Sequence, residues 1–159
     1  MKNMGKSFLI VSMFLLFTCN IASAQNLSGI LSGTGGDNKS YRVGWSDQGV
    51  LRPIQYYQFG SKTFIHFSLN GKPWPSSGWG IEKTSWSISC NRKCILSGIG
   101  GDGNRYSAEW QGTGTLSTLQ YYQLGSKTFI HFSLNGNPWP SSGWGVEQSS
   151  WSVETIDSN

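Results

Sequence analysis

Charge is scarce in this chain. Asp, Glu, Lys and Arg make up only 13% of it, and no cluster of Lys and Arg forms the basic stripe that follows a phosphate backbone. Nucleic acid is therefore excluded as a partner. Histidine is limited to His66 and His131, and no His/Cys/Asp group has metal-ligand spacing, so no metal and no cofactor is expected. No serine sits in a nucleophile elbow. The glycine-rich Gly100-Gly101-Asp102-Gly103 leads into a strand pattern rather than the helix that a phosphate loop requires. A sustained 3.6-residue apolar stripe is also missing, which excludes a helical fold.

Long apolar runs are missing too, with one exception. Residues 8–17 are almost continuously apolar, follow Lys2 and Lys6, and precede the small-residue stretch Ala22-Ser23-Ala24. Ten or so apolar residues are too few to span a bilayer, so residues 1–24 read as a cleaved secretory signal and no stable membrane span is expected. A lipoprotein signal built on Cys19 fits less well, because Phe17 is bulky where small residues belong. Cleavage after Ala24 takes the net charge from +4 to +2 and leaves a chain rich in Gly, Ser, Trp and Tyr. The expected location is secreted or periplasmic. Two cysteines remain, Cys90 and Cys94 in "CNRKC", and in an oxidising compartment they read as a small-loop disulfide.

What is abundant is self-similarity. "GSKTFIHFSLNGKPWPSSGWG" returns as "GSKTFIHFSLNGNPWPSSGWG", and residues 30–88 fall on 95–153 without a gap, with 39 of 59 positions identical. All eight Trp, all six Tyr and both His pair up in this register, as do Asp37 with Asp102 and Glu82 with Glu147. The cysteines do not. The expected organisation is a signal (1–24), a first unit (25–89), a junction (90–94) and a second unit (95–159).

Within a unit the period is two. In "YRVGW" Tyr41, Val43 and Trp45 share one face, and in "TFIHFSLN" Ile65, Phe67 and Leu69 share another. Gly44 becomes Glu109 in the second unit, which marks that face as outward. "QYYQF" and "IEKTSWSI" also read as strands. "GTGGDN" and "GIGGDG" read as turns, and Asn70-Gly71 and Asn135-Gly136 as type I′ hairpins. Pro73 and Pro75 confine the segment around Trp74 to a sheet edge or a loop. The expectation is an all-β protein of two tandem ~65-residue units with about five short strands each, forming a pseudo-two-fold barrel or sandwich.

The doubled loop "PWPSSGWG" is the candidate binding element. Stiff prolines and bare glycines hold indoles with their faces clear, and flat aromatic faces beside amides and hydroxyls suit a sugar. The first candidate site is Asn70, Trp74, Ser76, Ser77 and Trp79, with His66 in support. Its twin is Asn135, Trp139, Ser141, Ser142 and Trp144, with His131. Trp45 and Trp86, in alternating strands, read as core. The function expected is a non-catalytic, lectin-like module whose partner is a glycan or surface polysaccharide bound at two equivalent Trp loops. The alternative is an extracellular or periplasmic protein partner, for an inhibitor or envelope-interaction protein using the same loops. An enzyme is not expected, because nothing brings the repeated carboxylates together across a cleft.

Overall fold

A computed structural model describes residues 27–110 and 114–156; the signal expected over residues 1–24 lies outside the described residues. Every regular element among them is a strand. The first half contains β1 (Gly29–Thr34), β2 (Ser40–Trp45), β3 (Gly49–Phe59), β4 (Lys62–Leu69), β5 (Lys72–Trp74), β6 (Ile81–Glu82) and β7 (Ser87–Cys90). The second contains β8 (Lys93–Ile99), β9 (Arg105–Trp110), β10 (Gly114–Leu124), β11 (Lys127–Leu134), β12 (Asn137–Trp139), β13 (Val146–Glu147) and β14 (Ser152–Ile156). Among the described residues, no helix is long and apolar enough to cross a membrane.

Fourteen strands replace the ten expected, partly because "IEKTSWSI" is two strands and not one. Ser85 breaks it: its N–H and its Oγ both bond the Glu82 carbonyl at 3.0 Å, and its Oγ also accepts the Thr34 N–H at 2.9 Å. The resulting turn sends β6 to one sheet and β7 to the other.

The strands form two antiparallel sheets of seven. One runs β12-β11-β10-β7-β1-β2 with β13 beside β11, and the other runs β5-β4-β3-β14-β8-β9 with β6 beside β4. Each sheet thus draws strands from both halves of the chain. Neither closes on itself, so the barrel alternative is not the fold. The edge strands β5 and β12 carry Pro73 and Pro138, which have no N–H to offer a further neighbour. Registers recur between the sheets, for example Leu51 opposite Leu69 and Leu116 opposite Leu134.

Alternation decides what is buried. Trp45 closes an exposed–half-buried alternation in β2, and Gly44 and Glu109 both lie outside. The buried side chains of both sheets belong to one core, with Trp86 and Trp151 stacked at 5.3 Å between Phe67 and Phe132. The Asn-Gly hairpins have the positive φ that a type I′ turn needs, at Asn70 (51°) and Gly71 (80°). Asn38 (61°) and Gly103 (80°) hold equivalent left-handed positions, the two residue types that tolerate them best.

Cys90 ends β7 in one sheet, and Cys94 lies near the start of β8 in the other. The sulfurs are at bonding distance, the Cα atoms are 6.3 Å apart, and both residues are fully buried. The bond therefore ties the sheets together where the chain crosses between them. Closing so short a loop contributes about 2 kcal/mol through the unfolded chain. The double variant Cys90→Ala, Cys94→Ala is expected to lose about that much in urea unfolding without reductant. A change under 0.5 kcal/mol would show that the crossing is held by the strands alone.

Candidate functional site

The doubled loop does not gather all its candidate residues into one site. Asn70 Oδ1 accepts the Val50 N–H at 2.8 Å, and Asn135 Oδ1 accepts that of Thr115 at 2.8 Å, so both amide oxygens hold the hairpins. Trp74 is half-buried, edge-on to Tyr41 (6.5 Å) and tilted against Phe67 (6.3 Å). Trp139 leans on Phe132 at 6.0 Å in the same way. These two indoles cap the core at the sheet edges. The peptide bonds Trp74-Pro75 and Trp139-Pro140 are cis.

Trp79 and Trp144 are the outward members. Each lies across the glycine-rich turn at the end of another strand: a Cβ on Gly36 would come within 2.4 Å of the Trp79 ring, and one on Gly101 within 2.6 Å of the Trp144 ring. The paired glycines of "GTGGDN" and "GIGGDG" are thus seats for these rings as well as turns. Trp144 is 41% exposed, while Trp79 is half-buried edge-on to the exposed Phe59. Ser76 and Ser141 are exposed. Ser77 and Ser142 are half-buried, and Ser77 Oγ has no hydrogen-bond partner among the described residues.

His66 stacks on Tyr57 at 5.3 Å and His131 is tilted against Tyr122 at 5.4 Å, on the outer faces of β4 and β11. Partial burial lowers the His66 pKa, which favours the neutral ring at neutral pH. The two tyrosines hold the loops: Tyr57 Oη accepts the Gly80 N–H at 2.8 Å, and Tyr122 Oη accepts that of Gly145 at 2.7 Å.

These tyrosines lead to a feature that reading "QYYQF" as a plain strand had missed. The hairpins β3–β4 and β10–β11 extend beyond the core and enclose a cleft of about 440 Å³. Bulges after Pro53 and Thr118 each add one residue, so that Tyr56 comes opposite buried Ile65, and Tyr121 opposite buried Ile130. Tyr56, Gln58 and Thr63 line the cleft from one hairpin, and Tyr121, Gln123 and Thr128 from the other. Tyr57 and Tyr122 contribute from the rims, while Lys83 and Gln148 come from the turns after β6 and β13.

The deep tyrosines are fixed. Tyr56 Oη accepts Trp151 Nε1–H at 3.1 Å, and Tyr121 Oη donates to the Lys83 carbonyl at 3.2 Å. Burial pushes the Tyr56 phenol far above its ordinary range, with Tyr121 nearby adding to the effect and the Trp151 bond opposing it. Burial raises Tyr121 as well. Both therefore stay protonated and neutral at physiological pH. Lys83 Nζ stands 4.9 Å from the centre of the Tyr121 ring.

The repeated carboxylates do not line this cleft. Glu82 pairs with Lys62 at 3.0 Å and Glu147 with Lys127 at 3.0 Å, both on the outer surface. Asp37 and Asp102 accept from Tyr41 (2.9 Å) and Tyr106 (2.7 Å) within their own turns. The signal that marked the cleft was in the sequence all along: "QYY" and its flanking Gln are identical in both halves, while Arg52-Pro53-Ile54 just before them became Ser117-Thr118-Leu119. No family model, curated protein or solved structure matches this chain.

Proposed function

We propose that the chain is an exported, non-catalytic carbohydrate-binding protein. Its two ~65-residue units form an approximately two-fold body, with the cleft where they meet as the principal sugar site. One observation carries this reading: the cleft is lined by four tyrosines, three amide side chains and two threonines. Tyrosine rings accept the C–H faces of a pyranose, and amides and hydroxyls both donate to and accept from its hydroxyls. The volume, about 440 Å³, falls within the range of small-molecule sites. Glycoside hydrolysis works with paired carboxylates, and the lining residues carry none, which supports binding without turnover. The buried cysteine pair at bonding distance suits an oxidising, extracellular or periplasmic setting.

A glycan array on the purified protein tests the class, followed by calorimetry on the best hit. The expected result is selective binding at one ligand per chain. Gln58→Ala with Gln123→Ala removes two exposed cleft amides and is expected to weaken it about tenfold or more, at roughly 1 kcal/mol per hydrogen bond. A blank array, together with a specific protein partner recovered by pull-down, would overturn the carbohydrate reading.

The exposure of Trp144 favours a second reading, in which Trp79 and Trp144 are twin sugar platforms. Stoichiometry separates the two. Twin platforms bind two ligands per chain and lose them in the double variant Trp79→Ala, Trp144→Ala, whereas cleft binding survives that change.

A further inference from the structure

The cleft is lined by five pairs of residues at equivalent positions, and four of the pairs are identical in type. The fifth is Lys83 and Gln148. We propose that Lys83 makes the cleft selective for an acidic sugar, one per chain, with the ligand's anionic group held by its ammonium. This rests on the carbohydrate reading of the cleft and names the class of sugar.

The main chain is the same at both positions. Lys83 N–H donates to the Thr63 carbonyl at 2.9 Å, and Gln148 N–H to that of Thr128 at 3.0 Å. The two ends of the cleft therefore differ in side-chain chemistry on a shared frame. Four other lysines, at 39, 62, 93 and 127, stand within 4 Å of a carboxylate. Lys83 has no such partner among the described residues. Its neighbour Glu82 faces the outer surface and pairs with Lys62. The Lys83 ammonium instead stands by the Tyr121 ring, in a cleft whose other lining side chains are neutral.

A single uncompensated cation in a neutral, concave setting attracts an anion. Tyrosine, glutamine and threonine around it favour a ligand that also presents hydroxyls and C–H faces. A bare anion offers only the first of these features, and a neutral sugar only the second. An anionic pyranose offers both. Lysine acts as a point charge and takes a carboxylate or a sulfate alike.

Titration calorimetry on the purified protein tests this with two matched pairs of probes. Digalacturonate is set against galactobiose, and a hyaluronan tetrasaccharide against tetra-N-acetylchitotetraose. In at least one pair the acidic member is expected to bind at one per chain and about fivefold tighter than the neutral one, the effect of one partly exposed ion pair. Lys83→Gln gives both ends of the cleft the same residue and is expected to abolish the preference for the acidic member. Gln148→Lys supplies a second cation and is expected to strengthen acidic binding by a similar factor. Equal binding within both pairs, a preference that survives Lys83→Gln, or two ligands per chain would each overturn the inference and leave the carbohydrate reading standing. Binding of none of the four probes overturns it as well, and if the array is also blank, the carbohydrate reading falls with it.

Discussion

Trp151→Ala is expected to lower the unfolding free energy by about 3–5 kcal/mol, the range for truncating a large buried aromatic side chain. That is a large share of the roughly 5–15 kcal/mol that holds a domain together. Trp151 is 1% exposed, stacked on Trp86 with an interplanar angle of 14°, and edge-on to Phe67 and Phe132 from opposite sheets. Its loss opens a cavity between sheets that rigid backbone ladders prevent from collapsing. It also takes from Tyr56 Oη the donor that fixes this ring in the cleft. The loss should therefore exceed that of Trp74→Ala, whose half-buried ring sits at a sheet edge. Urea unfolding followed by far-ultraviolet circular dichroism measures both. Equal losses would mean that the edge indoles carry as much of the core as the central pair.

That Trp45 and Trp86 belong to the core was legible from their place in alternating strands, and so was the outward face marked by Gly44 and Glu109. The Asn-Gly hairpins and the edge position of the proline-flanked segment were legible for the same reason: φ preference and the missing proline N–H act within a few residues of chain. Which strand joins which sheet was not legible. Alternation says that one face of a strand is buried, but not which neighbour supplies the hydrogen bonds. "IEKTSWSI" carries only a trace of its break, in that buried Ile81 and Trp86 are five residues apart and would face opposite ways in one strand. It breaks because Ser85 finds Thr34, 51 positions away, and no local pattern records that contact.

The candidate site divides along the same line. Proline and glycine around Trp74 and Trp79 do present indoles in a turn, and Trp144 is exposed. What they do not reveal is that the Trp79 ring lies on Gly36, or that Asn70 is occupied by its own hairpin. The cleft was hidden for a further reason. Its two walls lie 65 residues apart in sequence, and the bulge that brings Tyr56 opposite Ile65 is one inserted residue with no sequence signature of its own. Only the sparing of "QYY" amid drift pointed there.

Thr155→Val is expected to cost about 2–6 kcal/mol although it hardly changes volume, because it leaves two N–H groups without an acceptor, at about 1–3 kcal/mol each. Thr155 is 3% exposed, and its Oγ1 accepts from Trp45 Nε1 at 3.0 Å and from the Gly49 N–H at 2.7 Å. Its own proton goes to the Asp47 carbonyl at 3.2 Å. That uses both lone pairs and the proton, so the hydroxyl is fully engaged. Cys90 holds the equivalent place in the other half, and there Trp110 Nε1 donates to the Gly114 carbonyl at 3.3 Å instead. The two sheets are thus secured at this end of the sandwich by different chemistry: a sulfur bridge where the chain crosses between them, and one hydroxyl on β14, directly opposite Cys94 of β8. Thr155→Ser keeps the oxygen and is expected to recover most of the loss in urea unfolding. Hydrogen exchange at the Gly49 amide adds a local readout, faster in the valine variant and near wild type in the serine one. If valine unfolds within 0.5 kcal/mol of wild type, strand pairing of β14 with β3 and β8 holds that end without the hydroxyl.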